Sequence, residues 1–188
     1  MNKVVMIGAL CGGALLAGCS SSSASVAPEE QLAVHMSERC EMHEMLDALE
    51  GEFEAVSHYW MRPNSRARLA TGRCTGSWDE SGLAMGQSYE GELFEQPVQM
   101  TFDLAWDEIR GCFVGGWTRG AGGSVMTLSD GHADAEGCIV TMRCDGETST
   151  REVLSIDGPD RHTRELYRTD AYGQEYLSWR MEMVRVQD

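Results

Sequence analysis

The chain has a single lysine, Lys3, so every basic side chain beyond its first residues is an arginine. No run of lysines and arginines forms a basic patch, and acids outnumber bases 30 to 15, leaving a net charge of −15. A polyanion such as nucleic acid, or a surface of acidic headgroups, would be repelled. No Cys-x-x-Cys pair occurs among the seven cysteines, which removes the common zinc and redox spacings. No Gly-x-Ser-x-Gly elbow, phosphate-binding loop or dinucleotide glycine pattern is present. Proline is scarce, at four residues. The apolar run from Val4 to Ala17 is too short to cross about 30 Å of hydrocarbon as a helix.

That run has the size of the apolar segment of a secretory leader. Lys3 precedes it, and Leu16-Ala17-Gly18-Cys19 closes it. The closing tetrapeptide resembles a bacterial lipobox, which implies cleavage after residue 18 and lipidation of Cys19. Ser20 to Ala27 is small and polar, as a tether is. Residues 1–18 are therefore read as a lipoprotein signal peptide, 19–28 as a flexible tether and 29–188 as one domain. By resemblance to Gram-negative lipoproteins, Ser20 after the cysteine implies an outer-membrane address facing the periplasm. The expected partner is the membrane itself, held through the acyl chains.

Cys11 leaves with the leader and Cys19 carries lipid, so Cys40, Cys74, Cys112, Cys138 and Cys144 remain, an odd number for an oxidising compartment. Placed on one extended strand, Cys138 and Cys144 stand about 20 Å apart at ~3.3 Å per residue. A disulfide needs less than about 7 Å, so that pair is excluded on this reading.

From Glu29 to Leu49 the pattern is helical: Pro28 suits a first turn, and Met42, Met45, Leu46 and Leu49 form one apolar stripe. Gly51 stops it, and the period changes to two. Phe53, Ala55, Ser57 and Tyr59 face one way; Glu52, Glu54, Val56, His58 and Trp60 face the other. Nine further strands follow, at 69–78, 83–94, 98–106, 112–118, 124–132, 138–144, 148–156, 161–169 and 175–186. Short links without crossover helices predict antiparallel neighbours. Closure of ten strands removes two exposed edges. The expectation is a mainly β, antiparallel ten-stranded barrel with one N-terminal helix at an end.

Several stretches carry a resemblance over residues 43–186: Leu49-Glu50-Gly51-Glu52-Phe53, Trp60-Met61-Arg62-Pro63, Tyr89-Glu90-Gly91, Trp106-Asp107, Gly115-Gly116-Trp117, Arg151-Glu152-Val153 and Glu165-Leu166-Tyr167. In order and spacing they resemble the bacterial domain of unknown function 1579 (DUF1579). That family is in turn similar to the calycin group of lipocalins, fatty-acid carriers and nitrobindins. The resemblance implies a calycin-like (lipocalin- or fatty-acid-binding-like) barrel and no established activity. It also implies that an arginine of the last strand, Arg185, covers the aromatic ring of the first, here Phe53 where calycins carry tryptophan. Arg119, Arg151 and Arg180 are candidates to hold a ligand's carboxylate, as in fatty-acid carriers, with Arg151 and Arg180 in the better-matched strands. Met100 and Trp117 complete the candidate ligand-binding set.

Catalytic readings find no constellation, so the chain is expected not to be an enzyme. His58 shares a wet face with Glu52 and Glu54 and has no evident partner. His35 and His43 stand about 80° apart around a helix, with Cys40 displaced further, a poor ligand set for a metal. Nitrobindin analogy raises His132 and His162 as haem ligands, but no surrounding motif matches, and no cofactor is expected. Met85, Met100, Met126, Met142, Met181 and Met183 all lie on expected strands, as core filler or as an adaptable binding surface. Two functions stay open. One is a lipid-anchored envelope protein whose barrel takes a small apolar or amphipathic ligand. The other is a packed-core structural or protein-interaction module of the envelope.

Overall fold

The computed structural model describes residues 3–5, 34–36, 38–93, 96–120, 125–136, 139–145 and 150–187. Strands β3 (Gly51–Tyr59), β4 (Arg68–Trp78), β5 (Ala84–Leu93), β6 (Gln96–Asp107), β7 (Cys112–Arg119), β8 (Val125–Ala133), β9 (Ile139–Asp145), β10 (Thr150–Ile156), β11 (Arg161–Thr169) and β12 (Glu175–Arg185) form a closed barrel. Each pairs antiparallel with the next, and β12 returns to β3, so the ten strands leave no edge within the ring. Two short strands, β1 (Lys3–Val5) and β2 (Val34–Met36), pair separately.

The period-two pattern decides which side chains enter the barrel. On β3, Phe53, Ala55 and Ser57 are buried while Glu52, Glu54 and Val56 are exposed. On β6, Val98, Met100, Phe102 and Leu104 are buried. Pro97 opens that strand instead of preceding it, a position where its missing N–H is tolerated.

The helix differs from the expectation over Glu29–Leu49. Among the described residues of that span, only Glu41–Leu46 (α1) is α-helical, followed by a 3-10 turn at Asp47–Leu49, and Val34–Met36 is extended. Cys40 is the N-cap, with an extended backbone, and the His43 ring reaches back to the Cys40 backbone N–H, which it accepts at 3.0 Å. Helix α1 therefore begins where a cap is available, twelve residues after the expected start at Glu29.

This short element closes one end of the barrel. Leu46 and Leu49 are fully buried against the core. A Cβ at Gly76 would lie 1.8 Å from the Leu49 carbonyl oxygen, so the cap sits directly on bare β4 backbone. Arg185 ties it down from β12, donating from Nη1 to the Glu50 carbonyl at 2.7 Å and from Nη2 to the Ala48 carbonyl at 3.1 Å. Its Nε donates to the Pro159 carbonyl at 2.9 Å, and the guanidinium lies 4.6 Å above the Phe53 ring. Trp78 Nε1 donates to Asp47 at 3.0 Å on the other side.

Among the described residues, no helix is long and apolar enough to cross a membrane. The expected signal peptide, tether and lipidated Cys19 lie outside the described residues, apart from Lys3–Val5. Cys40, Cys74 and Cys112 are free thiols. Cys138 and the Cys144 side chain lie outside what is described. Burial pushes the Cys74 thiol up to about 11, which makes it a weak nucleophile.

Candidate functional site

Above the cap, the interior is filled by apolar side chains and crossed by one polar layer. Gln87 enters from β5, Glu152 from β10, and His162 and Arg164 from β11, all nearly or wholly inaccessible to solvent. Each sits at an inward position of its strand: Glu152 alternates with Leu154 and Ile156, and Arg164 stands between His162 and Leu166.

Their hydrogen bonds fix one another. Arg164 forms an ion pair with Glu152 through Nη1. Its Nε and Nη2 both donate to Gln87 Oε1, at 3.1 and 2.9 Å. The Gln87 amide nitrogen is thereby turned to His162 Nε2, 3.0 Å away. Since the amide nitrogen only donates, His162 Nε2 must accept and carries no proton. Burial, with Arg164 and Arg185 adding to it, lowers the His162 pKa to about 3. The His162 ring meets the Phe53 ring edge-on at 4.5 Å. Glu152 accepts a second hydrogen bond, from Trp117 Nε1 at 2.5 Å. Every polar group named in this layer has a partner inside the barrel, so the layer works as a fixed floor.

Trp117 joins that floor to open space. Beyond it, at the barrel end opposite the cap, lies a cavity of about 410 Å³. Its walls are aromatic, from Tyr59, Trp60, Trp117, Tyr176 and Trp179, and sulfur-rich, from Met61, Met100 and Met126. Trp117 and Trp179 meet edge-on at 4.7 Å, and Phe102 packs beneath both, at 4.9 and 6.0 Å. Arg119 from β7 and Arg168 from β11 line the cavity too, while Ser178 and Thr118 add hydroxyls. Burial pushes the Tyr59 phenol up, and the neighbouring Trp179 N–H and Arg119 charge act against it. The buried Trp179 Nε1 faces Tyr59 yet completes no hydrogen bond among the described residues.

Of the residues singled out from sequence, Met100 and Trp117 line this cavity, as does Arg119. Arg151 and Arg180 do not. Both stand on the outer face, where Arg151 binds Glu175 twice at 2.8 Å and lies 3.9 Å over Tyr167. Arg180 pairs with Glu182 at 3.2 Å and Glu165 at 3.6 Å. The strand phase explains this. Arg180 follows inward Trp179 and precedes inward Met181, and Arg151 precedes inward Glu152. His58 lies outside, stacked on Trp60 at 5.9 Å. His132 is exposed on β8, far from the role of partner to buried His162. His43 and Cys40 serve the helix cap, with Cys40 Sγ 3.2 Å from His43 Nδ1.

The model of the family described as protein of unknown function (DUF1579) matches residues 38–185. Among solved structures, Rv2717c from M. tuberculosis is similar, with a TM-score of 0.56 and 11% identity, covering 80% of this chain and 100% of that one. Two further barrels resemble it more loosely. EF1p2_mFAP2b bound to DFHBI gives a TM-score of 0.45 at 9% identity, covering 78% of this chain and 100% of that one. The redesigned β-barrel mFAP0 bound to DFHBI gives 0.43 at 10% identity, covering 73% and 99%. A comparison with curated proteins gives no match. The likeness to Rv2717c carries the fold and nothing further.

Proposed function

We propose that this chain, which belongs to the DUF1579 family, binds a small apolar or amphipathic ligand at the open end of its barrel while a lipid on Cys19 holds it to the cell envelope. The observation that carries the binding half is the cavity of about 410 Å³, walled by aromatic rings and methionines above a rigid polar floor. Its volume falls within the roughly 300–1,000 Å³ of small-molecule sites, and such sites combine apolar walls with few placed polar groups. Methionine walls adapt to ligand shape. The role is carriage or sensing and not catalysis: the buried acid, base and imidazole groups are spent on one another beneath Trp117.

The anchoring half rests on Leu16-Ala17-Gly18-Cys19 and the polar stretch after it, and supports an outer-membrane position facing the periplasm. Metabolic labelling with a radioactive fatty acid tests it. Label should enter the full-length protein and disappear in Cys19→Ala, and an unlabelled wild type would refute the anchor.

The binding half is tested on residues 38–188. That segment holds the whole closed sheet, its core and its cap, with no barrel strand left unpaired. Native mass spectrometry should show a co-purifying small molecule, or a stoichiometric complex with an added apolar fluorophore. Absence of both, in protein whose near-ultraviolet dichroism shows packed tryptophans, favours the structural or interaction module instead.

A further inference from the structure

We propose that the cavity selects a negatively charged ligand with a planar apolar body, recognised by Arg119 and Arg168 at the mouth and by the Trp179 indole N–H within. The inference rests on the cavity being a binding site and names the class of ligand it takes.

The charge pattern is the first ground. In a chain where acids outnumber bases 30 to 15, the described residues of the cavity lining include two arginines and no aspartate or glutamate. The second ground is pairing. Six arginines elsewhere, including Arg151, Arg164 and Arg180, have carboxylate partners, whereas Arg119 and Arg168 form no ion pair among the described residues. The third is placement. Arg119 stands on β7 and Arg168 on β11, four strands apart in a ring of ten, so the two cations oppose each other across the mouth. A neutral ligand passing between them would strip water from two guanidinium groups and give nothing back. An anion replaces that water with charge-assisted hydrogen bonds.

Trp179 supplies the fourth. Its ring is 3% exposed and lines the cavity, and its Nε1–H faces the Tyr59 hydroxyl without completing a well-formed hydrogen bond among the described residues. A buried donor with a poorly placed acceptor is costly, and a carboxylate or sulfonate oxygen would satisfy it. The flat faces of Trp117, Trp179 and Tyr59 favour a planar body over a coiled chain.

The test uses two fluorophores with one ring system and different charge: anionic 8-anilinonaphthalene-1-sulfonate and neutral N-phenyl-1-naphthylamine. Both are titrated into wild type, into the double variant Arg119→Gln/Arg168→Gln, and into Arg151→Gln/Arg180→Gln, which removes the same charge from the outer face. Wild type should prefer the anion by about tenfold, one to two charge-assisted contacts. The mouth variant should lose that preference and keep the neutral probe within about twofold, whereas the outer-face variant should match wild type. Equal binding of the two probes to wild type, or equal losses in the two variants, overturns the inference and leaves the cavity as an uncharged site. If neither probe binds, the binding reading itself fails and the inference falls with it.

Discussion

Replacing Glu152 with glutamine tests whether the polar layer is a single interdependent unit. The change keeps the shape and removes one charge. Arg164, 1% exposed, would then lose its paired carboxylate and keep the Gln87 carbonyl, the face of Phe102 5.0 Å away and the attraction of Asp103 to offset its charge. Removing one partner of a buried ion pair costs about 3–5 kcal/mol, because the remaining charge is stranded away from water. Trp117 Nε1 also trades a carboxylate acceptor for an amide oxygen. For a chain of this size 1 kcal/mol moves the melting temperature by about 2–4 °C, so Glu152→Gln should melt roughly 6–20 °C lower.

The informative comparison is the paired change Glu152→Leu/Arg164→Met. If the cost is a stranded charge and not a lost contact, removing both charges restores most of the stability, since an apolar pair of similar volume is often neutral or better than a buried ion pair. Urea unfolding of wild type, each single variant and the pair closes the thermodynamic cycle. A loss below about 1 kcal/mol for Glu152→Gln would show that Arg164 is not dependent on it. A paired variant as unstable as the sum of the singles would refute the charge argument as well.

Arg185→Ala removes three hydrogen bonds to backbone carbonyls and the stack on Phe53. It should cost about 2–3 kcal/mol by urea unfolding, and Arg185→Lys should recover less than half, since an ammonium cannot reproduce the fork. Gly76→Ala pushes a methyl into the Leu49 carbonyl, so the cap must lift or the strand shift. A loss of about 1–3 kcal/mol is expected from that clash, whereas at exposed Gly111, with open space around it, a loss of about 1 kcal/mol comes from the positive φ of 64° alone. His162 is held neutral in the fold with a pKa of about 3, below its unfolded value, so the unfolded chain takes up the proton first as pH falls. Stability contributed by this group is complete above about pH 6.5 and lost progressively towards pH 3, at up to about 1.4 kcal/mol per pH unit. His162→Gln should flatten that acid limb in urea midpoints measured between pH 7 and pH 4.5; parallel curves would show that the imidazole is not the group responsible.

Much of the fold was legible because closure makes a strong two-residue rhythm. Phe53-Ala55-Ser57 and Val98-Met100-Phe102-Leu104 announce an inner face, and with short links the neighbours pair in sequence order. The helix was overdrawn because an apolar stripe from Met42 to Leu49 says which face is buried but not where the backbone turns; Cys40, an unusual cap residue, gave no warning. The site was half legible. Met100 and Trp117 came from strand phase and family pattern, while Arg151 and Arg180 were weighed as cations without asking which face they occupy. The same alternation that buries Leu154 and Leu166 also sends Glu152 and Arg164 inward. Two opposite charges on inward positions of adjacent strands were the signal, since neither can be buried alone. Gln87 and the distant partner Trp117 could not be joined to them without the ring closing.

The barrel thus divides its interior at Trp117. Below, Phe53 and Phe102 pack against the layer from Gln87 to Arg164, whose polar groups bind one another. That half is filled by packed and paired side chains. Above, the lining keeps open volume and, among the described residues, an indole donor that completes no hydrogen bond and two cations that form no ion pair. A protein selected only for stability would close that end as it closes the other, where Leu46 and Leu49 are fully buried and Arg185 holds the cap by its backbone carbonyls. The asymmetry between the ends is the reason to seek a ligand, and it dictates where: Met126→Trp, which fills the upper space without touching the polar layer, should abolish probe binding while shifting the melting temperature by less than Glu152→Gln does. Retained binding in Met126→Trp would place the ligand elsewhere on the molecule.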